Sequence, residues 1–181
     1  MPIQRAKPIA ADIPVINSSS IPVINTSSLP TIPNTKFPVG GIVQMVSRVN
    51  VNTSFTTSST SMTDIDGFYV DITPVYTNSI IVWECTHTST LNDDDGYCRF
   101  RVVDSNNSDT VFSSNTYCGH AHYYNEADHW DEIPIRARGE PGTTNTMRLQ
   151  LQLQINSGGT FSMNWSGSDH RVISATEYRQ V

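Results

Sequence analysis

The sequence predicts an all-β protein, an antiparallel β-sandwich preceded by an extended N-terminal arm. Three observations carry this. Stretches of alternating apolar and polar residues recur beyond residue 40, at a spacing that fits a sandwich. Only 15% of residues are charged, whereas long surface helices carry more charge. Proline and glycine are also segregated. Seven of the ten prolines lie within the first 38 residues and all ten glycines lie beyond them.

The arm, residues 1–38, holds an eight-residue repeat. Ile13-Pro14-Val15-Ile16-Asn17-Ser18-Ser19-Ser20 is followed by Ile21-Pro22-Val23-Ile24-Asn25-Thr26-Ser27-Ser28, and a third, degraded copy opens at Leu29-Pro30-Thr31. Proline at this interval removes backbone donors and forbids a helix, and it biases each preceding residue toward extended conformations. A solvated spacer is one reading of such a tail. The stronger reading is a docking arm, because Ile13, Val15, Ile16, Ile21, Val23, Ile24, Leu29 and Ile32 are more apolar than a linker requires. Arg5, Lys7 and Lys36 against Asp12 give the arm a charge of +2, which leaves −8 on residues 39–181 out of the total of −6.

In the second region, 39–181, residues 41–49 and 68–73 read as strands, and 79–88 reads as a central strand by its near-continuous apolar run. Residues 97–102 alternate with Arg99 and Arg101 on one face. Met147-Arg148-Leu149-Gln150-Leu151-Gln152-Leu153-Gln154-Ile155 alternates over its whole length and predicts a half-buried strand. Ser157-Gly158-Gly159 turns the chain into 160–165, and a last strand spans 171–180. Turn signals at Asp64-Ile65-Asp66-Gly67 and at 92–96, the latter read as an acidic hairpin, separate these runs into eight to ten strands.

The acidic balance and the absence of a basic stripe exclude a nucleic-acid-binding surface. Cys85, Cys98 and Cys118 form no Cys-x-x-Cys and read as small apolar strand residues. With no apolar run of signal or membrane-span length, the expectation is a soluble chain made in a reducing cytoplasm. No Gly-x-Ser-x-Gly elbow and no phosphate loop is present, so the sequence predicts no enzyme. A carbohydrate-active enzyme using acids among Glu126, Asp128, Asp131 and Glu132 is the remote alternative.

Cys118, His120 and His122 share a face if residues 118–122 form a strand. A His-x-His pair on a strand is able to ligate a metal, although histidines on a solvent face or a subunit interface are the simpler reading. Asp93-Asp94-Asp95-Gly96 offers oxygen ligands for calcium, without the spacing of an EF-hand. No other cofactor is expected. Tyr117, Tyr123, Tyr124 and Trp130 crowd one region and suit a receptor or subunit surface.

The run Gly41-Ile42-Val43-Gln44-Met45-Val46, the Thr/Ser-rich stretch 56–64, Val70-Asp71-Ile72-Thr73-Pro74 and Ser79-Ile80-Ile81-Val82 together resemble the jelly-roll knob domain of tailed-phage virion proteins of the marine or cyanobacterial type. The resemblance covers residues 40–83. Asn78 stands where that family often has a second Ser, and no Lys precedes Ile80. It implies a jelly-roll-like knob, usually trimeric, on head decorations, fibres and tail appendages, with no catalytic residue to carry over. The expected role is a virion protein, either a trimeric capsid decoration (cement) or a head fibre held by its arm. A receptor-binding tail fibre that recognises host surface glycan is the alternative. The expected partners are further copies and other virion proteins, with neither nucleic acid nor membrane among them.

Overall fold

The computed structural model describes residues 38–50, 54–92, 96–113, 115–123, 131–156, 159–163 and 171–180. The arm, apart from Pro38, therefore lies outside the described residues. Eleven strands are present among the described residues: β1 Ile42–Asn50, β2 Phe55–Thr57, β3 Thr63–Ile72, β4 Ile80–Asn92, β5 Gly96–Asp104, β6 Thr110–Val111, β7 Gly119–Tyr123, β8 Asp131–Gly139, β9 Met147–Ile155, β10 Thr160–Met163 and β11 Arg171–Tyr178. A single 3-10 turn, Ser105–Asn107, is the sole helical element among them.

These strands occupy eight positions. β6 and β7 fill one, both lying along β5, and β10 and β11 fill another, both lying along β4; β1 and β2, which pair with β11 and β10 in turn, fill a third. Numbering the positions along the chain, one sheet runs first, eighth, third, sixth: β1/β2, β11/β10, β4, β8. The other runs second, seventh, fourth, fifth: β3, β9, β5, β6/β7. Every observed pairing is antiparallel. That order is a jelly roll, and it bears out the predicted fold class.

The core lies between the sheets. Ile81, Trp83 and Cys85 of β4 face Leu149, Leu151 and Leu153 of β9, with Phe68, Phe100 and Phe161 filling the space between them. His87 belongs to the same layer. It is fully buried, with its ring 5.3 Å from that of Phe100 and at right-angle contact distance from Phe68 and Phe161.

Three local expectations are corrected. Asp64-Ile65-Asp66-Gly67 is a bulge inside β3 and not a turn between strands. Asp64 pairs with Gln152 and Tyr69 with Gln150, so four residues of β3 stand against one of β9. Gly67 sits at φ 78, where side chains are disfavoured, and Ile65 and Phe68 are driven fully into the core.

The polar face of β9 is not solvent-exposed at its centre. Gln150 donates to the Ile65 carbonyl that the bulge displaces, at 2.7 Å. Gln152 accepts from Arg101 Nε and donates to Asp64, both at 2.7 Å, so both glutamines are buried. Finally, the strands on either side of 92–96 form no hairpin, because β4 and β5 belong to different sheets.

Candidate binding groove

The outward face of the first sheet brings together residues that are far apart in sequence. Ile80 pairs with Tyr178 of β11. Val82 lies between Thr176 on one side and Arg138 on the other, and Glu84 lies between Ser174 and Arg136. Cross-strand partners share a face, so Arg136 and Arg138 stand in one row on β8 beside an apolar floor of Ile80 and Val82.

The ends of the domain close the row. Gly40 donates to the Arg179 carbonyl at 2.8 Å and Arg179 donates back to Gly41 at 3.0 Å, which fixes residues 178–180 beside Val39 and Gly40. On the other flank, Phe112 packs over Gly139 so closely that a Cβ there would lie 2.2 Å from the Phe112 carbonyl oxygen. The following segment, with Ser113, Asn115 and Tyr117, forms the far wall. The result is an open groove of about 1150 Å³.

Arg136, Arg138 and Arg179 line it, and no Asp or Glu is among its described lining residues. Arg136 is 3.0 Å from Glu84, but both side chains are about half exposed or more, so this pair holds the guanidinium only weakly. Arg138 makes no ion pair with a described residue. Arg179 lies 5.9 Å from the Tyr76 ring.

Tyr117 is 38% exposed at the groove rim, with the Arg99 guanidinium 5.1 Å from its ring. Arg99 also lies 4.8 Å from the ring of Tyr97 and donates to the Tyr97 hydroxyl at 3.1 Å. The Cys118 thiol, turned toward the Phe100 carbonyl, is pushed up to about 11 by burial, against the opposing pull of the Cys118 and Val102 backbone hydrogen bonds. It is therefore an uncharged thiol at neutral pH.

Of Tyr117, Tyr123, Tyr124 and Trp130, Tyr117 alone has a described side chain. His120, His122 and Tyr123 are on β7, where His120 pairs with Arg99 and His122 with Tyr97 in register. Tyr124 and Trp130 lie outside the described residues, as do Asp93–Asp95 and the arm positions Ile13, Val15, Ile16, Ile21, Val23, Ile24, Leu29 and Ile32. Glu126 and Asp128 are outside as well, and Glu132 is exposed on β8. No group of three or more His, Cys, Asp or Glu able to hold a metal ion occurs among the described residues. No helix among them is long and apolar enough to cross a membrane.

The groove arginines and Tyr178 were missed in the sequence. The alternation Ile135-Arg136-Ala137-Arg138 did mark two cations on one strand face. Their meeting with residues 178–180 depends on β4 standing between β8 and β11, which no local pattern encodes.

No family model and no curated protein sequence matches the chain. Among solved structures, it is similar to "Structure of infectious bursal disease virus Gt strain" at 8% identity and a TM-score of 0.40, covering 76% of this chain and 38% of that one. It is likewise similar to "Structure of infectious bursal disease virus Gx strain" at 9% identity and a TM-score of 0.38, covering 76% of this chain and 36% of that one. This chain thus spans well under half the length of those proteins, and the jelly-roll assignment rests on the strand order itself.

Proposed function

We propose that the chain is a non-enzymatic structural protein of a phage virion, a trimeric capsid decoration or head-fibre protein anchored by its N-terminal arm. The observation that carries this reading is the pairing of a jelly-roll domain with a proline-spaced Ile/Val repeat, which has too little apolar surface to build a core of its own. At about 3.3 Å per residue the arm reaches beyond ~100 Å, enough to cross neighbouring subunits.

Self-association has a surface to use. Met45 and Val49 of β1, an edge strand, point outward together with Val172 of β11, directly opposite Val49, and all three are at least half exposed. Apolar side chains on an edge strand are what a second copy covers in an oligomer. Sedimentation of the full chain tests this: three times the chain mass of 20.1 kDa is expected, and a monomer at micromolar concentration contradicts the trimer.

A second reading, a tail-fibre adhesin recognising host surface glycan, is favoured by one observation, the groove lined by Arg138, Arg179, Tyr117 and Tyr178. Loss of particle adsorption on removing the groove arginines would favour it. Adsorption unchanged by their removal would favour the decoration role.

A further inference from the structure

We infer that the outward face of the second sheet docks an extended, acidic protein segment at Arg99 and Arg101. The inference goes beyond the virion reading and does not depend on arm anchoring. Its basis is a pair of cations without counter-charges. Residues 39–181 carry −8, yet Arg99 and Arg101 stand on one face of β5 and neither makes an ion pair with a described residue. The described acids of this face lie on β3, beyond β9. There Asp64 accepts from Gln152 at 2.7 Å and Asp71 is paired with Arg148 at 2.8 Å, while Asp66 is exposed in the bulge.

Both guanidiniums are held in place before any partner arrives. Arg99 lies 4.8 Å from the Tyr97 ring and 5.1 Å from that of Tyr117, and it donates to the Tyr97 hydroxyl at 3.1 Å. Arg101 donates through Nε to Gln152 at 2.7 Å. Each keeps further N–H donors in the planar fork that matches a carboxylate, and a side chain already ordered loses less entropy on binding. Two residues apart on a strand, the pair is spaced by about 7 Å, which is also the spacing of alternate side chains on an extended segment. β5 stands between β9 and β6/β7, so the partner docks through side chains and does not add a strand to an edge. Neither arginine lines the groove on the first sheet, and Arg beside Tyr on an open sheet face is the composition that dominates protein interfaces.

The test is titration of the full chain, followed by nuclear magnetic resonance of its arginine Nε–H groups, with four probes. These are an octapeptide of alternating Glu and Thr, a peptide of four Glu followed by four Thr, the alternating peptide with Gln in place of Glu, and hexagalacturonate. The alternating acidic peptide is expected to bind at least threefold tighter than the block peptide, to shift Arg99 and Arg101, and to weaken as salt rises. The Gln peptide is expected not to bind. Arg99→Gln and Arg101→Lys are each expected to weaken binding at least threefold, and Arg136→Gln on the first sheet to leave it unchanged. Melting temperatures of the variants separate lost docking from lost folding.

Equal binding of the block peptide overturns the extended geometry. Tighter binding of hexagalacturonate overturns the protein assignment in favour of an acidic glycan. Undiminished binding by both Arg99→Gln and Arg101→Lys removes the site. No binding of any acidic probe removes the inference altogether, and arm anchoring stands or falls separately.

Discussion

The carboxylate of Glu177 is buried on β11, where a burial cost has to be met by hydrogen bonds. It accepts from Val75 N at 3.0 Å, Tyr76 N at 3.1 Å and Gln44 Nε2 at 2.6 Å, and so ties the β3–β4 connection to the edge of the first sheet. Glu177→Gln turns one acceptor into a donor facing backbone N–H groups. The expected loss is about 1–3 kcal/mol, seen as a melting temperature lowered by roughly 2–4 °C per kcal/mol. A melting temperature within a degree of the native value would show that these bonds do not matter. Nothing in Thr176-Glu177-Tyr178 distinguishes this acid from a solvated one, because its partners lie 102 and 133 residues away.

Cys118 makes a second prediction at this scale. Its thiol stays protonated to about 11 in the folded state, against 9.0 when free, so between these values the folded chain holds a proton that the unfolded chain has lost. Stability therefore falls as pH rises from 9 toward 11, and Cys118→Ser should flatten that decline. At pH 8 all three cysteines are expected to resist thiol reagents until the protein unfolds, since Cys85 and Cys98 are buried. Rapid labelling of Cys118 at pH 8 would contradict this.

At the scale of elements, the strands were legible because side chains alternate with period two, and Cys98, Phe100 and Val102 turned inward as the pattern demanded. The bulge in β3 was not legible. Asp-Ile-Asp-Gly is also a turn signal, and only the long-range pairing with Gln152 and Gln150 tells the two apart. The buried glutamines of β9 escaped for the same reason, their partners being Ile65, Asp64 and Arg101 on neighbouring strands.

Two variants probe elements directly. Gly139→Ala forces a methyl group against the Phe112 carbonyl and is expected to destabilise by about 1–3 kcal/mol by overpacking the β6–β8 contact. Native-like melting of that variant would mean the segment at Phe112 yields freely. Val172→Glu places a charge beside Val49 on the outward face, and is expected to convert trimer to monomer on sedimentation while the fold persists. A trimer that survives it would move the interface elsewhere.

At the scale of the molecule, composition and periodicity were sufficient for all-β but not for strand order. In the jelly roll, six of the seven steps between successive positions cross from one sheet to the other, and only β5 to β6 returns within its own sheet. Short turn-rich connections such as 92–96 look like hairpins in a sequence, and their crossing is decided by which neighbours bury the apolar faces. The resemblance over residues 40–83 anticipated the jelly roll where local physics alone did not. The groove was legible only as isolated arginines, because its three walls come from opposite ends of the domain.

The central claim is that the arm anchors the jelly-roll domain to a virion. Electron cryomicroscopy of the native particle, tracing residues 1–38, tests it most directly. The account predicts arms lying extended along capsid subunits with trimers of the domain above them. Domains at a fibre tip with arms in a tail assembly would transfer the main role to receptor binding, and particles without this chain would contradict the account.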